Sequence, residues 1–296
     1  MITQLNRGYS LVVGDWKSGD GWRIEDLQVR FEVNKTSNEK KSKNSATIEI
    51  YNLSPEQIKT LETPYLVADL SAGYFGQWDE ISQIQRLFVG EVVTVTTRKN
   101  GPDVVTQLNL GEGYLELNHS VLSKLVSPGK TVRDVFEEIR TSIPDIARGV
   151  YAGTNITSPI VYGYPLMGEP RRLMDKLSEA YDVEYRVDDG VLYVNDVDGA
   201  VNNADATALV ISQESGLIDT PYLVAPSKKK TKEDKESKSS VQWKMLLNPD
   251  VNPGEIVRLE YPEFTGWYKV ESVRHSGSFR DRDWYSEVQC VQNIKV

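Results

Sequence analysis

Two histidines, one cysteine and 43 carboxylates are the groups with which this chain could do chemistry. Their spacing assembles no catalytic set. His275 falls in an alternating, strand-like run, and His119 stands beside Asn118 in a polar stretch. A lone imidazole in either place reads as structural or solvated before it reads as a base. Cys290, in another alternating run, reads as a small buried hydrophobe. With so few His and Cys, a zinc centre or a histidine-based triad lacks partners. Asp188-Asp189 leads into Gly190 in a hairpin turn signal, and Asp281-x-Asp283 has no calcium-loop pattern around it. Gly111-Glu112-Gly113 lacks the third glycine and the helix of a phosphate cradle. The expectation is not an enzyme, with no catalytic, cofactor or metal site.

The other charged groups with a clear pattern are lysines. Lys228, Lys229, Lys230, Lys232, Lys235 and Lys238 stand against Glu233, Asp234 and Glu236, and a shorter basic stretch spans Lys35–Lys43. The rest of the chain is therefore more acidic than the total of −9, which argues against a non-specific grip on nucleic acid. Charge runs between strands read first as solvated loops. The alternative is a contact surface facing a channel or a neighbouring ring.

The elements that must position these groups follow one plan twice. Leu27–Val33 reads as a strand leading into Lys35–Lys43, and the alternating run Thr47–Leu53 closes on Asn52-Leu53-Ser54-Pro55. Leu217–Val224 likewise leads into Lys228–Lys238, and Val241–Leu247 closes on Leu246-Leu247-Asn248-Pro249. Each copy finishes with two β runs joined by a polar turn, Phe88–Thr97 with Val104–Leu110 and Trp267–His275 with Trp284–Val291. Glu255–Tyr261 is a further run in the second copy. After the first, Ser54, Pro55 and Gln57 form a capping box, Leu53 and Ile58 a hydrophobic staple, and Pro64 a stop. Such a short helix would plug one end of a small barrel.

Between the copies the period changes. Thr131 can cap a helix whose Val132, Val135, Phe136 and Ile139 share one face. A second helix from Pro170 carries the stripe Leu173, Leu177, Ala180 and Tyr181. The Asp189-Gly190 hairpin then sets Val187 opposite Leu192 and Tyr185 opposite Val194. The expected division is a first β-barrel at 1–125, an α+β middle domain at 126–205 and a second barrel at 206–296. The 26% charged and 39% hydrophobic composition is ordinary, and no apolar run reaches membrane-spanning length. Met1–Gly14 lacks the basic-then-apolar order of a secretory signal, and the single cysteine fits a reducing cytoplasm.

Several segments resemble the baseplate hub proteins of contractile phage tails, within the tail-tube-like superfamily. Ala46–Ser54, with Ile50, Tyr51, Asn52, Leu53 and Ser54, is similar to that family's strand-to-helix element. Gly73-Tyr74 and Phe88–Val92 are similar to its next strands. Ser215-Gly216-Leu217-Ile218 with Pro221 resembles the entry to its second barrel. Leu247-Asn248-Pro249, Pro253-Gly254 and Val257–Leu259 resemble its later run, and Tyr268–Val270 with Val273 and His275 its ending. Asp219 and the long Lys228–Lys238 connector depart from the family pattern.

The resemblance implies a mainly β fold with an α+β insert, two tail-tube-like barrels flanking a small peripheral middle domain of the kind that has LysM-like character in some family members. It implies a homotrimer whose two barrels per chain make a pseudo-sixfold ring. Such a ring joins a tail tube above to a spike below, among other baseplate proteins, and leaves a passage for DNA. The location implied is the virion tail baseplate, assembled in the host cytoplasm. A negative lining of that passage would let DNA slide without sticking. The alternatives are a cell-wall-binding or wall-degrading tail component, or a tube or terminator subunit. Deleting Lys228–Lys238 is expected to leave folding intact.

Overall fold

The computed structural model describes residues 6–15, 21–38, 43–61, 63, 66–75, 84–111, 120–144, 146–200, 208–224 and 240–292. The first module contains β1 (Asn6–Asp15), β2 (Gly21–Ile24), β3 (Val29–Thr36), β4 (Ser45–Tyr51), α1 (Pro55–Leu61), β5 (Leu66–Phe75), β6 (Gln85–Asn100) and β7 (Asp103–Gly111). Its strands lie in the order β3-β4-β7-β6-β5-β1-β2. Alternate residues such as Leu11, Phe31, Ile48, Ile50, Leu70 and Leu108 meet in one apolar cluster, so the sheet wraps around its own core. The capping box forms as expected. Ser54 N–H donates to Gln57 Oε1 at 2.9 Å and Gln57 N–H to Ser54 Oγ at 3.2 Å. Leu53, Ile58 and Leu61 pack on the core beneath, while Pro64 lies outside the described residues.

The middle segment holds β8 (Leu122–Val126), α2 (Val132–Thr141), β9 (Ala147–Ala152), β10 (Tyr164–Gly168), α3 (Pro170–Tyr181), β11 (Val183–Asp188) and β12 (Val191–Asp196). The periodicity of α2 is realised: Val132, Val135, Phe136 and Ile139 are all buried, with Thr131 and Asp134 in a reciprocal cap. The α3 stripe differs by one residue. Met174 is buried and Ala180 exposed, because the face turned to the core follows Leu173, Met174 and Leu177. The β11–β12 hairpin has the expected register, with Val187 opposite Leu192 and Tyr185 opposite Val194. Asp189 and Gly190 take φ of 52° and 74°, as a two-residue turn of this hand requires.

The last module contains β13 (Leu209–Ile211), β14 (Tyr222–Val224), β15 (Ser240–Leu246), β16 (Ile256–Leu259), β17 (Gly266–Ser278) and β18 (Trp284–Gln292). Leu217–Val224 does not form the continuous strand its sequence predicts. Leu217 makes an isolated bridge to Met245, and the ladder resumes only at Tyr222. Gly216 has φ of 106° beside it, and Pro221 has no N–H to give a ladder.

The two modules share a strand order. β14-β15-β18-β17-β16-β13 repeats β3-β4-β7-β6-β5-β1, although β13 runs parallel to β16 where β1 runs antiparallel to β5. The agreement extends to register. β6 against β7 slips between Val92 and Thr94, and β17 against β18 slips between Val270 and Ser272. Aligning these bulges sets Thr97 on His275 and Thr106 on Ser286, and brings Glu91, paired with Val67, onto Lys269, paired with Ile256. The modules flank the middle segment in sequence but not as separate barrels. β17 pairs with β3, so both belong to one 13-stranded sheet.

Candidate functional site

Among the described residues the most built region is the seam where the modules meet. One edge of β17 serves two partners. Gly266–Lys269 pairs with β16 of its own module, and Ser272–Ser278 pairs with β3 of the other. The bulge between them turns the strand from one neighbour to the next. The ladder runs from Ser272↔Thr36 to Ser278↔Arg30 and is extended by Ser37 N–H to Glu271 O (2.8 Å) and Phe279 N–H to Val29 O (2.9 Å). A strand edge left bare would invite foreign pairing; here it is satisfied within the chain.

Packing closes the seam on its inner face. Trp284, from β18, sits in the first module's core, edge-on to Phe31 at 5.4 Å, and donates its Nε1–H to Gly73 O at 3.2 Å. Leu247 joins the same core. His275 is 1% exposed and lies 2.8 Å from Ser286 Oγ through Nδ1. Burial pushes its pKa down to about 3, with Lys35 adding to the shift and Asp188 opposing it. The imidazole is therefore neutral at neutral pH. At the matching place in the first module, Thr97 and Thr106 hydroxyls meet at 3.1 Å.

The middle segment docks on the seam through charges that would otherwise be stranded. Lys35 of β3 pairs with Asp188 at 2.8 Å, and Lys269 of β17 pairs with Glu184 and donates to Val197 O at 3.1 Å. Asn44 donates to Val187 O at 2.7 Å, and Asn195 to Glu184 Oε1 at 2.7 Å. Each module thus supplies one lysine to β11. Arg186 lies over the Tyr193 ring at 4.4 Å; burial pulls its pKa below the usual value. Lys35 was expected in a solvated loop, but only 5% of it is exposed, because Asp188 provides the counter-charge. Asp188 is more than a turn residue for the same reason.

The other face of the sheet is polar and unbroken across both modules. Arg98 meets Glu49 at 2.8 Å, and Arg274 meets Glu32 at 2.6 Å and Glu287 at 3.8 Å. Gln242, Lys244, Asn34, Thr47, Gln107 and Thr96 share this face by register. A polar depression of about 600 Å³ lies over the seam, with Asn34, Thr36, Gln242, Ser272 and Gln289 in its wall. The charges are of both signs and matched across strands.

The residues singled out by sequence serve as joints of the backbone. Ile50 and Leu53 are buried, and Tyr51 is half-buried. Asn52, at φ 59°, donates to Asp103 and accepts from Val104 N–H at 3.0 Å, holding the end of β4 to β7. Asn248 N–H donates to Ser286 Oγ at 3.1 Å, and Asn248 Oδ1 accepts from Asp250 N–H across Pro249. Pro253 is buried, and Gly254 (φ 82°) donates to Val270 O at 2.7 Å. Asp281 accepts from Ser278 Oγ and pairs with Arg30, as a turn residue would. Lys228, Lys229, Lys230, Lys232, Lys235, Lys238 and His119 lie outside the described residues. The seam's own residues, Lys35, Lys269, Glu184 and Trp284, were missed. Their one visible signal was Lys269, a charge set among the apolar residues of a strand. Among the described residues no three His, Cys, Asp or Glu side chains gather as a metal site would need, and no helix is long and apolar enough to cross a membrane.

Comparison with solved structures gives the fold an independent frame. A tail protein from Neisseria meningitidis MC58 superposes with a TM-score of 0.67 at 13% identity, over 97% of each chain. The prophage MuSo2 43 kDa tail protein from Shewanella oneidensis gives 0.63 at 9% identity, over 96% of this chain and 98% of its own. The E. coli c3393 protein, a type VI secretion component described as structurally similar to the T4 tail proteins gp27 and gp5, gives 0.62 at 11% identity, over 91% of this chain and 74% of its own. Likeness at such identity is likeness of fold. Among curated proteins none matches the chain in sequence. The sequence model for a family of phage baseplate hubs, described as baseplate hub gp41, matches residues 15–290, nearly the whole of the sheet and insert described above, and this chain belongs to that family.

Proposed function

We propose that three copies of this chain close into a ring of pseudo-sixfold symmetry, the hub that joins a sixfold tail tube above to a threefold spike below. The repeat carries this reading: both halves have one strand order and one bulge register, so three chains supply six like modules. A symmetry adaptor requires that doubling, because a tube subunit needs only one module. The polar sheet face would line the passage for DNA. Its wall would be mixed, with Arg30, Arg98, Lys244 and Arg274 set among Glu32, Glu49 and Glu287, in place of the negative lining expected from net charge. Paired charges leave little field to hold a passing phosphodiester.

On this reading the division at 1–125, 126–205 and 206–296 gives two ring modules and one peripheral domain, and the role is structural rather than enzymatic. The tube and spike proteins are bound at the two rims, with other baseplate proteins outside, in the virion tail. Light-scattering mass and electron micrographs of the purified chain, alone and with tube and spike proteins, test it. The expected result is a three-chain particle with threefold views. A chain that stays monomeric and joins neither partner would overturn the reading.

A further inference from the structure

The seam inside the chain specifies, residue by residue, how one chain meets the next. Aligned by their bulges, Thr94–Asn100 of β6 correspond to Ser272–Ser278 of β17, the segment that receives β3. Among the described residues no strand pairs with that edge of β6 beyond Glu91. At the far end of the sheet, β14 corresponds to β3. Tyr222, Leu223 and Val224 oppose Gln242, Val241 and Ser240 as Glu32, Val33 and Asn34 oppose Thr47, Ala46 and Ser45. Its outer edge is likewise unpaired among the described residues.

Exposure marks the two edges as halves of one joint. Val33, covered by β17, is 0% exposed, while its counterpart Leu223 is 60% exposed and Tyr222 is 51% exposed. His275 is buried against Val33, while its counterpart Thr97 is exposed. A bare edge carrying apolar side chains is what isolated proteins avoid.

We infer that β6 receives β14 of a second copy, antiparallel and in the register of the internal seam. Thr96 lies opposite Val224 of that copy, Thr97 opposite Leu223 and Arg98 opposite Tyr222, as Arg274, His275 and Ser276 lie opposite Asn34, Val33 and Glu32. The joint is shorter than the seam, since Leu217 and Tyr222 are five residues apart where Val29 and Glu32 are three, which interrupts the ladder. Each chain offers one edge of each kind, so the contact is head-to-tail, and in the proposed ring it closes at three copies. This rests on the ring reading and adds which edges meet and in what register.

A chain carrying Thr96→Cys and Val224→Cys tests it, treated with a short thiol-to-thiol linker and sized on a denaturing gel. Cys290 is buried and its thiol is held protonated, so it stays silent. The double variant is expected to give two- and three-chain products, and either single variant none. Leu223→Asp is expected to weaken association at least tenfold while the single chain melts as before, since Leu223 is already solvent-facing. A three-chain particle that does not link through these cysteines, or that assembles unchanged with Leu223→Asp, would overturn this joint and leave the ring standing. A chain monomeric even with tube and spike proteins would overturn both.

Discussion

The two modules are built on one plan, and the places where they part describe what each is for. At the joint between β17 and β3 the edge is filled, His275 and Val33 are sealed, and the middle segment clamps the join through Lys35–Asp188 and Lys269–Glu184. At the matching edge of β6, Thr97 faces solvent, and the residue aligned with Lys269 is Glu91, which has the wrong sign to hold Glu184. In the proposed ring, only one joint in each pair would therefore carry a docked middle domain. There the doubled sheet would reproduce a sixfold motif, and the clamp would reduce it to a threefold one.

The clamp gives the largest expected effect. Lys269→Ala leaves Glu184 buried without its cation, so urea unfolding should show a loss of about 3–5 kcal/mol. Lys269→Met with Glu184→Leu should return most of it, whereas Glu91→Ala should change little. Equal effects at 91 and 269 would dissolve the distinction between the joints.

Gly277 comes next. An added Cβ there would fall within the Phe31 ring, which is held by Trp284, so Gly277→Ala should cost about 1–3 kcal/mol. Its counterpart Lys99 is exposed, and Lys99→Ala should stay within about 0.5 kcal/mol.

The buried imidazole sharpens the contrast through pH. The folded pKa of His275 lies near 3, below that of the unfolded chain, so unfolded molecules take up the proton first. Its contribution is complete above pH about 6.5 and declines toward pH 3, by about 1.4 kcal/mol per unit within that window. His275→Gln should flatten that part of a stability-against-pH curve, and Thr97→Val should leave it unchanged. Smallest of all, Cys290 should resist thiol reagents in the native state and react on unfolding, because burial raises its pKa well above the usual range.

Local chemistry made part of this molecule legible from its sequence. Ser54 with Gln57, Thr131 above an apolar stripe, and Asp189-Gly190 each fix a backbone feature within a few residues, and each is present. The repeat was legible because alternation and closing turns recur in order. The seam was not, because the pairing of Arg274 with Asn34 joins strands far apart in the chain, and nothing in either alternation pattern specifies that register. Lys35 looked solvated because its partner, Asp188, comes from a hairpin whose docking no local pattern records. Leu217–Val224 looked like one strand because apolar content outweighed Gly216 before it and Pro221 within it.

Trp284 also governs the order of events during synthesis. Its indole and Leu247 complete the core of strands made more than 130 residues earlier, so the first module leaves the ribosome with a gap in its interior. That module must wait, part-open and with the outer edge of β3 unpaired, until β17 and β18 emerge. A cell making this protein should therefore need chaperone cover late in translation, and nascent chains stalled before residue 284 should be the most prone to aggregate.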